Sequence, residues 1–154
     1  MLALMVGVAP AAAGVLDGVV RIAVSVDVEH PVEGIAAAAL ERRLTAFLAD
    51  LAPALAPDAA APDRLRLTVA VRPHSSSALR GFYLPFSGTY AIGTVRLGVE
   101  RAVHLSGGAP RTVPAIVWQR ERVVATRWAA AGAAVEGAVM ELLDALRSAG
   151  LDRR

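Results

Sequence analysis

Three histidines, two alternating carboxylates and three short serine clusters are the residues here whose types could do chemistry. His30, His74 and His104 could ligate a metal, but no two stand at a short ligand spacing. The chain has no cysteine, so no thiolate can complete a metal set, attack a substrate or form a disulfide. Ser75, Ser76, Ser77 and Ser87 lie in a polar, irregular stretch. A nucleophile elbow would need G-x-S-x-G, which is absent, so these serines read as solvated loop residues. Ser106-Gly107-Gly108 joins two strand-like segments. A phosphate-cradling loop needs a helix N-terminus behind it, so this one reads as a hairpin turn. Asp27 and Glu29 fall on one side of an alternating segment and read as a solvated face rather than an acid–base pair. Glu136 and Glu141 belong to the polar sides of a helix. The expectation is a chain with no catalytic apparatus, no metal and no cofactor.

The less neutral feature is a charge asymmetry. Residues 64–99 contain Arg64, Arg66, Arg72, Arg80 and Arg96 and no acid, giving +5 against −3 in the remainder. Within them, 73–89 is irregular and places Phe82, Tyr83 and Phe86 beside Arg80. Guanidinium groups among aromatic rings suit lipid head groups, acidic polymers or a protein surface. The candidate contact set is therefore Arg72, Arg80, Phe82, Tyr83, Phe86, Tyr90 and Arg96. Against it stands a plainer reading, in which strand arginines pair with acids of neighbouring strands and Phe82, Leu84 and Phe86 cap the core. A nucleic-acid partner is not expected. All 16 basic residues are arginine, which does not titrate below pH ~12. A net charge of only +2 thus produces a pI of 9.9.

The elements that must position these residues follow from periodicity. Val20, Ile22, Val24, Val26 and Val28 alternate with Arg21, Ser25 and Asp27, which predicts a half-buried strand over Val19–Glu29. His30-Pro31 closes it. Leu40, Leu44, Phe47, Leu48 and Leu51 make one apolar stripe of a helix from about Glu33 to Leu51. Leu65, Leu67, Val69 and Val71 predict a second strand over Arg64–Arg72, and Val95, Leu97, Val99, Val103 and Leu105 a third over Tyr90–Leu105. Thr112–Arg127 returns as one long strand or two short ones, with Gln119-Arg120-Glu121-Arg122 either a solvated strand face or a turn. Val135, Val139, Leu142, Leu143 and Leu146 stripe a final helix over Trp128–Ala149, with Gly150 as its C-cap. The order β-α-β-β-β-α predicts an α+β domain: an antiparallel sheet of four to five strands with two helices on one face.

The apolar run Met1–Pro10, followed by Ala11-Ala12-Ala13, has the pattern of a signal peptide over 1–13, cleaved after Ala13, although no basic residue precedes it. A single domain over 14–154 then lies in the periplasm or is secreted. No stretch reaches the ~20 apolar residues of a membrane-spanning helix. From Val19 to Gly150 this order resembles small periplasmic proteins of outer-membrane assembly, such as the lipopolysaccharide-assembly lipoprotein family. The chain departs from that family in lacking a lipobox cysteine, and no functional residue is carried over. The resemblance implies a non-enzymatic accessory protein of the bacterial cell envelope, binding a protein or lipid-like, anionic partner through the 73–89 loop and the adjoining sheet. Two alternatives stand beside it. One is a small periplasmic hydrolase or sugar-binding enzyme domain, and the other a cytoplasmic α+β domain that oligomerises through its sheet.

Overall fold

A computed structural model describes residues 14–76, 88–105 and 111–151. In chain order the elements are β1 (Arg21–Val28), α1 (Ala37–Leu51), β2 (Ala56–Pro57), β3 (Arg64–Ser75), β4 (Thr89–Leu105), β5 (Arg111–Arg127) and α2 (Ala131–Leu151). A short 3-10 turn, Trp128–Ala130, leads into α2. The strands form one sheet in the order β2-β1-β3-β4-β5. The class is α+β, as the sequence predicts, but the sheet is mixed rather than antiparallel. β1 runs parallel to β3, from Ala23↔Arg64 to Val28↔Val69, and parallel to the two-residue β2. Only β3–β4 and β4–β5 are antiparallel. Alternation has a period of two in either direction, so it cannot report strand polarity. The polarity comes from the connection: a helix between two strands returns the chain to the end where it began, and the next strand enters parallel.

Burial follows the alternation closely at the centre. Leu65, Leu67, Val69 and Val71 of β3 and Val95, Leu97 and Val99 of β4 are fully buried. Leu40, Leu44 and Leu48 of α1 and Val135, Val139, Leu142, Leu143 and Leu146 of α2 close over them in one apolar cluster. The helices are tied side by side by Arg147, which reaches Asp50 at 3.0 Å and lies 5.3 Å from the Phe47 ring centroid, and by the Arg43–Glu136 pair at 3.6 Å. No side chain caps the N-terminus of α1, and no acid stands in its first turn. Its stability therefore rests on the buried stripe rather than on end effects.

Several boundaries differ from the periodic pattern for local reasons. The first helix starts at Ala37, not Glu33, because Gly34 has φ +79°, outside the helical region, within a small Val32–Ile35 bridge. Val20 precedes β1 and is exposed rather than on its core face. Val103 and Leu105 share the parity of Val99 but lie beyond the end of β3, where β4 has only β5 beside it, and both are exposed. Thr112–Arg127 is part of one strand, with a bulge that leaves Val117 unpaired between Ile116↔Glu100 and Trp118↔Val99. The last helix continues through Leu151, so Gly150 lies within it.

Two glycines test the packing in opposite senses. A β-carbon on Gly93 would overlap the Ala70 carbonyl oxygen and come within 2.6 Å of Val71 Cα, so β3 and β4 approach too closely there for any side chain. Gly137 sits in α2 with nothing within 4 Å of its missing β-carbon. Gly93→Ala should cost ~1–3 kcal/mol through overpacking, whereas Gly137→Ala should stabilise by ~0.5–1 kcal/mol through helix propensity. Leu44→Ala and Leu143→Ala, which remove buried leucines from the two helical stripes, should each cost ~2–5 kcal/mol. Urea denaturation of the four variants measures all of these; a loss below about half a kcal/mol at both leucines would refute the assigned helix faces.

Candidate functional site

The side of the sheet away from the helices is where register places the sequence-predicted contact residues. Arg72 pairs with Ile92, His74 with Tyr90 and Thr68 with Arg96. Side chains directly opposite one another share a face, so Arg72, Tyr90 and Arg96 belong to the same face, which no described helix covers. Asp27, Arg66 and Glu121 join it by the same parity. Arg80, Phe82, Tyr83 and Phe86, together with the 1–13 segment, lie outside the described residues.

Arg66, Arg72 and Arg96 on this surface are engaged by acids of neighbouring segments, whereas Arg64 has no acid partner among the described residues. Arg72 Nη2 donates to Glu29 at 3.2 Å and Arg96 Nε to Glu121 at 2.8 Å. Arg66 reaches Asp27 at 3.9 Å and Glu100 at 4.0 Å. These are solvent-screened pairs that set cross-strand register more than they stabilise. Asp27 and Glu29, read from the sequence as a solvated carboxylate face, are each held by an arginine of β3. Tyr90 differs from its neighbours: it is at the edge of full burial, 9% exposed. It lines a cavity of about 300 Å³ with Gly88, Thr89, Arg127, Trp128 and Ala129, at the end of the sheet where β3 and β4 meet their connection. The neck of that connection is latched. Ser76 N–H donates to the Gly88 carbonyl at 2.9 Å and Gly88 N–H to Ser76 Oγ at 3.3 Å.

A second site lies on the helix side, where no contact residue is predicted from the sequence. Trp118, Arg120 and Arg122 project in a row from β5, opposite Val99, Leu97 and Val95. Ala145, Ser148 and Ala149 face them from α2 and complete a groove of about 530 Å³. Arg122 Nε is bound to Glu141 at 2.7 Å, while Arg120 has no partner among the described residues. The stretch Gln119–Arg122, which the sequence leaves open between a strand face and a turn, is strand. The signal for the groove was arginine at alternate positions in phase with Trp118 and Val124, where a core-facing strand would continue with aliphatic residues.

Among the described residues, no three of His, Asp or Glu gather closely enough to hold a metal ion, and no polar or charged residue is buried. His104 Nδ1 lies 2.9 Å from Thr112 Oγ1 across the β4–β5 ladder. No described helix is long and apolar enough to cross a membrane. No family model matches the chain, and no curated protein matches it.

Because the Arg96–Glu121 pair is exposed on both partners, Arg96→Gln should lower stability by less than ~1 kcal/mol in urea denaturation at moderate salt. A larger loss would mean that the Arg96–Glu121 pair organises the sheet rather than decorating it.

Proposed function

We propose that the chain is a non-enzymatic binding domain of the bacterial cell envelope. In this reading a protein or lipid-like, anionic partner docks on the uncovered sheet face and on the 73–89 loop at its end. The observation that carries it is the placement of the exposed Arg72 and Arg96 on a sheet face that no described helix covers, running past the nearly buried Tyr90 toward the latched neck of that loop. An acidic partner can exchange places with Glu29 and Glu121 on those arginines at little cost, because exposed ion pairs are weak. The loop supplies what the sheet face lacks, three aromatic residues and Arg80 in a connection too long to be a simple turn. Export fits the local chemistry at Gly14. Its N–H donates to Asp17 Oδ2 at 2.9 Å. Cleavage after Ala13 would turn that donor into an ammonium and the contact into an ion pair.

A second reading has its own support. β5 forms one edge of the sheet, and Ile116, Val117 and Val123 on it are exposed. An apolar edge is a surface for pairing with a second copy of the chain, so self-association through the sheet competes with capture of a different partner.

The triple change Arg80→Ser, Tyr83→Ser, Phe86→Ser separates the accounts. A contact loop leaves the melting temperature nearly unchanged and abolishes co-purification with partners from the envelope fraction of the native host. A core-capping loop lowers the melting temperature by several degrees, as expected for lost apolar burial. Retention of both stability and partners would remove the loop from the function, and a dimer in sedimentation with no other partner would favour self-association.

A further inference from the structure

α2 does not seal the inner side of β5. Opposite the fully buried Val95, Leu97 and Val99, β5 presents Trp118, Arg120 and Arg122. A covered position there would call for an aliphatic side chain, as Val124 supplies one turn of the pleat further on. Ala145, Ser148 and Ala149 stand at i, i+3 and i+4 on α2, so they share one helix face. Their small side chains leave the space between helix and strand unfilled. Three properties of that space point to one class of ligand. Trp118 is half-buried against the core and forms part of the groove wall, offering apolar ring surface. Among the described residues no acid is bound to the Arg120 guanidinium, and those that line the groove include no carboxylate. The volume of about 530 Å³ is in the range of small-molecule sites.

We infer that this groove binds a small aromatic carboxylate, with the ring against Trp118 and the carboxylate on Arg120. Arg122 contributes its remaining N–H groups, since its Nε is committed to Glu141. Guanidinium and carboxylate match in shape as a two-bond fork, which an ammonium would not provide. The site lies on the opposite side of the sheet from the proposed contact surface and does not rest on that reading.

The chain has two tryptophans, Trp118 and Trp128, so two indole N–H resonances report on the protein. Trp128→Phe assigns them. Titration of the full chain with 3-phenylpropionate should move the Trp118 indole signal saturably, with a Kd on the order of 1 mM or tighter. The neutral 3-phenylpropanamide and the ringless propionate should each bind about tenfold more weakly or worse. Arg120→Gln should weaken 3-phenylpropionate by about tenfold without moving the melting temperature, because the side chain is exposed and has no partner among the described residues. Ala145→Leu, which fills the groove from the helix, should abolish binding while the charge of Arg120 remains. The inference is overturned if the Trp118 signal does not saturate, if propionate or the amide binds as well as 3-phenylpropionate, or if Arg120→Gln binds undiminished.

Discussion

One requirement governs this molecule: the inner faces of β3 and β4 must be dry. These two strands pair along the full length of β3, from Arg64↔Glu100 to Ser75↔Thr89. Seven of their side chains, Leu65, Leu67, Val69, Val71, Val95, Leu97 and Val99, are entirely buried. Together they contribute on the order of 10–20 kcal/mol before the opposing chain entropy. Among the described residues the largest fully buried side chains are all aliphatic, so close aliphatic fit must anchor the interior. The near-contact of Gly93 with the β3 backbone is one result of that fit. Both helices are held chiefly by their stripes against this surface. The connection through α1 brings β1 in parallel, since the helix can cover the sheet only by crossing back over it.

A sheet covered on one side must solve two exposure problems. On the open face the solution is charge at alternate positions, with Arg66 and Arg96 each set within reach of an acid on the next strand and Arg72 within reach of Glu29, just past the end of β1. That arrangement keeps the face soluble without burying a charge. At the edge, β5 carries the usual guards against uncontrolled pairing: Pro114, a bulge at Val117, and the charges of Arg120, Glu121 and Arg122. The guards are incomplete. Val123 lies outside them, and Ile116 and Val117 remain exposed beside the bulge.

The central strands and both helix stripes were legible in the sequence because burial there is one-sided, and one-sided burial writes itself as periodicity. Leu40, Leu44 and Leu48 at helical spacing and Leu65–Val71 at alternate positions needed no further context. Strand polarity was not legible, because it depends on where the chain re-enters the sheet rather than on any residue in the strand. Nor was the end of burial along β4: Val103 and Leu105 continue the pattern of Val95–Val99, and only the length of β3 determines that they lack cover. Of the candidate contact residues, Arg72, Tyr90 and Arg96 could be placed on one face from parity alone. Their engagement by Glu29 and Glu121 required the strand order, which sets the acids beside them. The groove went unseen because Arg120 and Arg122 look like ordinary solvated strand residues until the partners of β5 are known.

That last point has a general form. Where a chain's local pattern agrees with its position in the fold, the residue is explained by packing and says little about function. Leu97 is such a residue: alternation predicts an apolar side chain, and the sheet buries it. Arg120, directly across the ladder from Leu97, is the converse. Its side chain points to the side of the sheet that the helices cover, yet it is charged, exposed and without a partner among the described residues. A valine there would extend the core by one more strand and let α2 close onto β5. Conflict between local residue and global position is what functional sites leave behind in otherwise consistent folds. The open-face arginines show no such conflict, since charge is what that surface requires. By this measure the groove beside α2 is the more informative of the two surfaces.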